Sequence, residues 1–496
     1  MFSPTRFALA ALALFSQSAF AVTCESLAQF TAPGTTITIA KAIEAGAFEG
    51  PGAPAASFKQ LPAFCRVAAT LKPSSDSDIK IEVWLPAERW NGKFLGVGNG
   101  GWSGAIVYPA LAGGLARGYA VASTNTGHDG GDAKFAMGHP EKLIDFGYRA
   151  VHEMTVTGKA ITKTFYDKAP AHSYWNGCSS GGKQGLKEAQ KFPSDYDGIL
   201  AGAPANYWTH LMIGDLWPAL QTLKNAEAYL APAKLALLHK SSMEACDRQD
   251  GLQDGSIENP VSCKFDPGML LCKDGATEAC LTQPQVDAAR KIYAGAKNPR
   301  TGDQIFPGMP PGSEKVWGAL AGGPEPLGIP VSHFRYVVFK DPTWDYKTLN
   351  FDKDLALADE IDNGMLNATD PNLKEFFAHG GKLIVYHGWN DQLISPMNSI
   401  NYYNSVAARL GGASKIDNSF RLFMAPGMNH CGGGDGPNRQ DSFSALEQWV
   451  EQGKAPEQII ASRADRSRPL CAYPKVAKYK GSGSVDEAAN FVCSAQ

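Results

Sequence analysis

The chain has 496 residues, with 46 basic and 49 acidic side chains and a formal net charge of -3. This balance argues against a nucleic-acid-binding protein, which needs a basic face. The length allows two or three domains with a full hydrophobic core. Ten cysteines, an even number, are typical of a disulfide-bonded protein from an oxidising compartment, and 52 glycines with 32 prolines predict many loops.

The first 21 residues have the pattern of a secretory signal peptide. Arg6 provides a positive charge, residues 7 to 15 form a short apolar segment, and residues 19 to 21 (Ala-Phe-Ala) form an A-x-A cleavage site. The apolar segment is far shorter than the roughly 20 residues that span a membrane. We therefore expect an exported protein, periplasmic or secreted, that is processed near Val22 and has no membrane anchor.

Strand and helix patterns alternate over the first half of the chain. The segments IKIEVWLP, KFLGVGNGG and GYAVASTNTG predict a strand, turn, strand pattern between Ile79 and Thr126, and a helix is expected at about Tyr148 to Thr164. SYWNG, LKEAQKFP and YDGILAGAP then predict a strand, a helix and a strand. This alternation indicates an α/β fold with a mostly parallel sheet.

The stretch YWNGCSSGGKQG contains two overlapping motifs. From Gly177 to Lys183 it reads G-x-x-x-x-G-K, as in a phosphate-binding P-loop, but Gln184 stands where a hydroxyl would ligate Mg²⁺. From Gly177 to Gly181 it reads G-x-S-x-G, the sharp turn that presents a nucleophilic serine, here Ser179. Taken alone, the second motif is also compatible with a glycine-rich turn that contains an incidental serine.

The alternation stops near Asn206 and resumes at DPNLKEFFAHGGKLIVYHG, followed by a second unit that ends in FRLFMAPGMNH. A long irregular insertion between two α/β halves predicts a lid domain over the site. The expected divisions are the signal peptide (1–21), the first part of the core (22–205), the lid (206–368) and the second part of the core (369–496).

Within the expected lid, CDRQDGLQDGSIENP carries three carboxylates in eight residues. Asp247, Asp250 and Asp254 alternate with Gly251 and Gly255, which permit tight turns. Hard oxygen ligands on a short, turning segment suit Ca²⁺, although the spacing is not that of an EF-hand. From these residues alone, a solvated Asp-Gly turn is an equal alternative.

A serine nucleophile requires a histidine base, and that base requires a carboxylate. In α/β-hydrolases these residues follow the serine in the order acid, then histidine, each after a later strand. Asp391 directly follows KLIVYHG and His430 follows RLFMAPGM. Cys178 precedes Ser179 and Cys431 follows His430, so a disulfide between these cysteines would hold nucleophile and base together. The sequence predicts a Ser179–His430–Asp391 triad.

Other histidines fit the role of base less well. His128 lies upstream of the serine, and His152 lies in a helix that lacks the second histidine of a zinc protease. His387 is close to Asp391 in sequence and could line the pocket or support the triad from behind. For His430 itself, the alternative is a structural loop histidine.

The arrangement Cys178-Ser179, Asp391 and His430-Cys431 resembles the CS-D-HC motif of the tannase and feruloyl esterase family. The resemblance covers nearly the whole chain, including NGKFLGVGNGG and ALEQWVEQGKAPEQIIAS. It implies an α/β-hydrolase core with a large irregular lid domain inserted between core strands. It also implies hydrolysis of small-molecule aromatic esters, namely feruloyl esters, galloyl esters or a terephthalate monoester.

The resemblance implies a structural Ca²⁺ held by Asp247, Asp250 and Asp254 and by the backbone carbonyls of Leu252 and Ser256. The eight cysteines outside the predicted Cys178–Cys431 bridge are expected to pair with neighbours in sequence, because short loops close most readily, and the resemblance implies the same pattern. The expected pairs are Cys24–Cys65, Cys246–Cys263, Cys272–Cys280 and Cys471–Cys493.

The tetrahedral intermediate of such a reaction requires two N–H donors. One should be the backbone of Ser180, directly after the nucleophile. The other should come from the loop GNGGWSG, residues 98 to 104, with Gly101 favoured and Gly100 next. These glycines would also permit a tight turn without any catalytic role.

The leading hypothesis is a carboxylic ester hydrolase for esters of hydroxycinnamic or gallic acids, of feruloyl esterase or tannase type. The alternative within this class is a terephthalate monoester hydrolase. The resemblance implies that terephthalate-type enzymes have an aromatic residue after the triad aspartate and a lid arginine that binds the free carboxylate. Here Asp391 is followed by Gln-Leu-Ile, and the only candidate cation is Arg335, which a surface salt bridge would explain equally well, so this alternative is weaker. The alternative from another class is a calcium-stabilised, non-catalytic binding protein.

Overall fold

The computed structural model describes residues 22–51, 55–273, 275 and 278–495. The predicted signal peptide lies outside the described residues. The strands are β1 (Thr35–Ile43), β2 (Phe64–Leu71), β3 (Ile79–Pro86), β4 (Lys93–Val97), β5 (Ala120–Thr124), β6 (His172–Cys178), β7 (Gly198–Gly202), β8 (Ala296–Lys297), β9 (Gln304–Phe306), β10 (Lys382–Gly388), β11 (Phe420–Ala425), β12 (Arg439–Gln440), β13 (Gln458–Arg463), β14 (Arg466–Cys471), β15 (Val476–Tyr479) and β16 (Phe491–Ser494).

The α-helices lie on both faces of the main sheet and in the insertion. They are α1 (Tyr108–Ala116), α2 (Pro140–Ile144), α3 (Ala150–Tyr166), α4 (Ser180–Lys191), α5 (Trp208–Thr222), α6 (Pro232–Cys246), α7 (Gln283–Ala294), α8 (Gly318–Ala321), α9 (Gly328–Ser332), α10 (Lys353–Asp362), α11 (Lys374–Ala378), α12 (Met397–Arg409), α13 (Ala413–Ile416) and α14 (Ser442–Gln452). Helices α3, α4 and α12 share one hydrophobic core with the sheet, and α1 and α14 share another.

The main sheet has nine strands in the order β1-β2-β3-β5-β4-β6-β7-β10-β11. From β5 to β11 in this order the strands run parallel, whereas β1, β2 and β3 pair antiparallel at one edge. Strand β7 (GILAG) is buried at every position. Its sequence is apolar throughout because a strand covered by helices on both faces has no side exposed to water. The predicted α/β class with a mostly parallel sheet is confirmed.

The insertion between β7 and β10 is more helical than its sequence predicts, since it contains α5 to α10. Helix α5 accounts for part of the difference, because its apolar residues, which include Trp208, Leu211, Ile213 and Leu216, point in different directions around the helix axis. A helix that is apolar on all sides gives no amphipathic period. The two ends of the insertion meet where the Ala368 N–H donates to the Asn206 carbonyl at 2.7 Å. The role of this segment as a lid stays a prediction.

Five disulfides are present, and they are the five expected pairings. They are Cys24–Cys65, Cys178–Cys431, Cys246–Cys263, Cys272–Cys280 and Cys471–Cys493. No cysteine in the described ranges is free. Among the helices described here, none combines the length and the apolar character needed to cross a bilayer.

Candidate active site

Ser179 lies at the sharp turn between β6 and α4. Its backbone has φ 64° and ψ -123°, a region that side chains rarely adopt, and its N–H donates to the Gly202 carbonyl on the neighbouring strand at 2.9 Å. The flanking glycines are required by close packing, because a Cβ on Gly177 would lie 2.5 Å from the Gly181 carbonyl oxygen. The turn therefore has the geometry of a strained nucleophile elbow at the carboxyl edge of the parallel strands.

Lys183 does not occupy the position of a P-loop lysine. Its side chain is fully buried, and its ammonium lies 4.5 Å from the ring centre of Phe146 and 4.6 Å from that of Trp208. Burial lowers the pKa of Lys183 to about 7. A lysine enclosed by aromatic rings cannot reach a phosphate in solvent, so the P-loop interpretation of this stretch is excluded.

Asp391 follows β10 and is fully buried beneath the loop that carries His430. Its Oδ2 accepts a hydrogen bond from His430 Nδ1 at 2.7 Å, and its Oδ1 accepts the backbone N–H groups of Leu393 and Ile394 at 2.8 and 2.9 Å. The His430 backbone N–H donates to the Gln392 side chain at 2.9 Å. With Nδ1 donating to Asp391, Nε2 of His430 is the nitrogen that can accept a proton from a nucleophile.

A second histidine supports the same carboxylate from behind. His387 is completely buried, with Nε2 at 3.0 Å from Asp391 Oδ2 and Nδ1 at 2.8 Å from Ser399 Oγ. Burial alone would raise the pKa of Asp391, but the His430 and His387 imidazoles and their hydrogen bonds hold it far below its usual value. Of the two roles considered for His387, support of the triad fits this position, since a buried side chain cannot line an open pocket.

The Cys178–Cys431 disulfide joins the turn that carries Ser179 to the loop that carries His430. Its Cα atoms lie 5.9 Å apart, within the usual range for a disulfide. Because Ser179 follows one cysteine and His430 precedes the other, the bridge holds these two residues at the same edge of the sheet. The His430 side chain is 11% exposed, so a ligand from solvent can contact it.

The loops that carry the predicted oxyanion donors contact each other directly. Ser180 Oγ donates to the Gly101 carbonyl at 2.9 Å, which fixes the start of α4 against residues 98 to 104. Gly101 has φ +51° and lies beneath Ile329 of the insertion, whose carbonyl accepts the Trp102 indole N–H at 3.2 Å. Gly100 belongs to the same turn, where its carbonyl accepts the Ser103 N–H at 2.9 Å. The donor roles of Ser180, Gly101 and Gly100 stay predictions.

The expected calcium loop begins with a short 3₁₀ turn, Asp247–Asp250, at the end of α6. The buried carboxylate of Asp247 accepts the N–H groups of residues 254 to 256 at 3.1 to 3.3 Å. Asp250 accepts the Leu252 N–H at 2.9 Å. Burial, followed by the charges of Asp254 and Asp247, raises the pKa of Asp250.

The carboxylate of Asp254 is turned to the C-terminal hairpins, where it pairs with Arg468. In the described part of the chain, only His152, Glu188 and Asp195 bring three acidic, histidine or cysteine ligand atoms within 4.8 Å of one another. The calcium loop thus offers the oxygen donors that Ca²⁺ prefers, but in this arrangement its three carboxylates do not converge.

Comparison with known proteins agrees with this geometry. A family model described as tannase and feruloyl esterase matches residues 65–494. An uncharacterised esterase of Xanthomonas campestris is 37% identical, with 97% of this chain and 92% of that protein covered. A probable feruloyl esterase B-2 of Aspergillus terreus is 35% identical, covering 98% of this chain and 97% of the relative.

The structure of feruloyl esterase B from Aspergillus oryzae superposes with a TM-score of 0.89 at 32% identity, covering 96% of this chain and 100% of that chain. Tannin acyl hydrolase from Aspergillus niger shares the fold, with a TM-score of 0.79 at 23% identity, covering 94% of this chain and 92% of that chain. The fold is that of the α/β-hydrolases, and the protein is a carboxylic ester hydrolase. The chain belongs to the tannase and feruloyl esterase family.

Proposed function

We propose that this protein is an exported serine esterase that cleaves esters of hydroxycinnamic or gallic acids. The observation that carries the proposal is the Cys178–Cys431 bridge beside the 2.7 Å hydrogen bond from His430 to Asp391. These contacts gather a nucleophile, a base and an acid that are remote in sequence. The aromatic substrate class is supported by the relatives that are named feruloyl esterases.

In the first half of the reaction, Ser179 Oγ attacks the ester carbonyl carbon while His430 Nε2 takes the hydroxyl proton. Asp391 accepts a hydrogen bond from His430 Nδ1–H throughout and stabilises the imidazolium that forms. The carbonyl electron pair moves to oxygen, where the N–H groups of Ser180 and Gly101 stabilise the developing charge. The carbon–oxygen bond to the alcohol then breaks, the alcohol takes the proton from His430, and the acyl group remains on Ser179.

In the second half, water replaces the alcohol. His430 removes a proton from the water molecule as its oxygen attacks the acyl carbon, and a second tetrahedral intermediate forms. This intermediate breaks the bond to Ser179 Oγ, which regains its proton from His430. The aromatic acid leaves, and the free enzyme is restored.

A fluorophosphonate probe tests the nucleophile. The folded wild-type protein should be labelled once, on the peptide that contains Ser179, because the probe reacts with an activated serine. The Ser179→Ala variant should not be labelled there. Failure to label folded wild-type protein would favour a non-catalytic binding protein over an enzyme.

The acid part of the preferred ester substrate is identified by comparing kcat/KM for methyl ferulate, methyl gallate and the 2-hydroxyethyl monoester of terephthalate. We expect the terephthalate ester to be the poorest, because the Arg335 guanidinium donates to the Trp344 carbonyl at 2.9 Å within the insertion. That contact uses one of the five N–H donors of Arg335 and ties the guanidinium, the only lid cation suggested for the free carboxylate, to the backbone of the insertion. A preference for the terephthalate ester would overturn the substrate class while leaving the serine mechanism in place.

Export is supported by the five disulfides, since stable disulfides are typical of oxidising compartments. We expect the mature protein to start near Val22. N-terminal sequencing of protein recovered from the periplasm and from the medium would locate it and define the processing site. Unprocessed protein confined to the cytoplasm would contradict export.

The loop from Asp247 to Ser256 is proposed to bind one structural Ca²⁺, which would neutralise the carboxylates of Asp247, Asp250 and Asp254. The carbonyls of Leu252 and Ser256 would complete the oxygen donors. A ligand that binds only the folded state stabilises it by mass action, so chelation should lower the melting temperature and added Ca²⁺ should restore it. In the Asp250→Asn variant both effects should shrink. A melting temperature that EDTA leaves unchanged would remove the calcium site.

A further inference from the structure

Three side chains outside the active site form a compact cluster on one face of the sheet. His152 lies on α3, Glu188 lies on α4, and Asp195 lies in the loop after α4. Each offers a ligand atom within 4.8 Å of the other two, and His152 Nδ1 lies 2.7 Å from Asp195 Oδ2. The triad reaction described above does not use this cluster.

Of the three residues, Glu188 is the one whose burial is not explained by its contacts. Its side chain is 1% exposed, and neither of its carboxylate oxygens has a hydrogen-bond partner. Burial, followed by the charge of Asp195, raises the pKa of Glu188 well above its usual value. A buried carboxylate without a donor is costly, because it loses hydration without gaining a partner.

The surrounding groups do not supply that partner. The Lys159 ammonium donates to the backbone carbonyl of Asp195, and its charge lowers the pKa of Glu188 without outweighing burial, but in the described residues it forms no hydrogen bond with either carboxylate. Phe192 covers the His152 ring, with the two ring centres 3.7 Å apart. One imidazole and two carboxylates therefore lie within 4.8 Å of one another, and neither oxygen of Glu188 has a hydrogen-bond partner among the described residues.

We propose that His152, Glu188 and Asp195 form a binding site for a divalent transition-metal ion, with Zn²⁺ as the best match. One imidazole nitrogen and two carboxylate oxygens form a ligand set that suits Zn²⁺ better than Ca²⁺ or Mg²⁺, which prefer oxygen alone. With metal–ligand bonds of about 2.0 to 2.2 Å in a tetrahedral site, adjacent ligands lie roughly 3.3 to 3.6 Å apart. His152 Nδ1 and Asp195 Oδ2, which now share a hydrogen bond at 2.7 Å, would therefore separate slightly as the ion replaces the shared proton. Three protein ligands leave a fourth position for water.

The site is open to solvent on one side and shielded on the other. The side chains of His152 and Asp195 are 27% and 12% exposed, so an ion can reach the ligands while Glu188 holds it from within. The stacked Phe192 ring restricts the rotation of the imidazole.

The proposed role of the ion is structural. Glu188 lies nine residues after Ser179 along α4, about 13 Å at 1.5 Å per residue, so the ion would not touch the ester. It would link α3 to the C-terminal half of α4, the helix that begins directly after Ser179.

Zinc binding is tested by calorimetry on metal-stripped protein resupplied with excess Ca²⁺, so that the calcium loop does not contribute. We expect one Zn²⁺ per wild-type chain, and Co²⁺ in its place should give a visible absorption band. His152→Gln and Glu188→Gln should each weaken binding by about a hundredfold or more, since loss of a residue that only supports a metal ligand already costs about ten- to a hundredfold. Neither variant should change kcat/KM for the ester.

The matched control is His139→Gln. His139 also pairs with a carboxylate, Asp76, at 2.9 Å, but at an exposed position without a third ligand. This variant should bind Zn²⁺ as the wild type does. If Glu188→Gln fails to fold, the partly exposed His152 carries the test alone. Absence of Zn²⁺ binding by the wild type, or equal binding by wild type and His152→Gln, would overturn the proposal. In the first of these cases Glu188 would be a protonated acid that shares its proton with Asp195.

Discussion

Replacing Cys178 and Cys431 by alanine should lower both the stability and the activity of this enzyme. The bridge closes a loop of 253 residues and joins the two halves of the core across the insertion. On the chain-entropy relation, a loop of that length contributes roughly 5.5 kcal/mol to the free energy of unfolding. The Cys471–Cys493 bridge, which spans 22 residues, provides a control for which the same relation gives about 3.4 kcal/mol.

The effect on activity has a separate cause. Without the bridge, no disulfide joins the turn that carries Ser179 to the loop that carries His430, and His430 is held by its hydrogen bonds to Asp391 and Gln392. A displacement of 1 Å between reacting groups can cost about a hundredfold in rate. We therefore expect a kcat/KM reduced by up to this factor in the bridge-free enzyme, whereas the Cys471→Ala/Cys493→Ala control should keep its kcat/KM.

Both quantities can be measured on the same samples. Urea unfolding gives the free energy of unfolding, and ester hydrolysis, measured under conditions where both variants remain folded, gives kcat/KM. A bridge-free enzyme with wild-type kcat/KM would refute the idea that the disulfide positions the serine and the histidine. A loss of stability no larger than that of the control would refute the loop-length argument.

Three substitutions test the triad more directly. Ser179→Ala should fold normally and reduce kcat by several orders of magnitude, and near-normal hydrolysis would overturn the mechanism. Asp391→Asn should reduce kcat by about 10⁴-fold, since an amide favours the wrong tautomer of His430, and a loss below tenfold would contradict this role. His387→Gln should reduce kcat by no more than about a hundredfold, because a hydrogen bond to a charged group contributes about 1.5 to 3 kcal/mol. A loss as large as that of Asp391→Asn would make His387 part of the proton transfer itself.

Local patterns in the sequence were sufficient to predict the α/β class and the candidate triad. Strands buried on both faces are largely apolar segments, so β7 and the apolar centres of β10 and β11 are visible in the sequence. β6 is less uniform, but its apolar Tyr174 and Trp175 lead directly into the serine motif. In a parallel sheet the residue after each strand falls at one edge, which is why the positions of Ser179, Asp391 and His430 along the chain already predict their proximity. The cysteines beside two of these residues added a covalent constraint that could be read without coordinates.

Other features depended on contacts between segments that have no common local signal. Helix α5 was missed because its apolar residues point in different directions around its axis, which removes the polar–apolar period that marks an amphipathic helix. The contact of His430 with Asp391 depends on how β10 and β11 pair, whereas His387 lies on β10 itself, four residues before the carboxylate that it supports. The isolation of Glu188 is likewise a tertiary property, because whether a buried carboxylate finds a donor depends on every element packed around it.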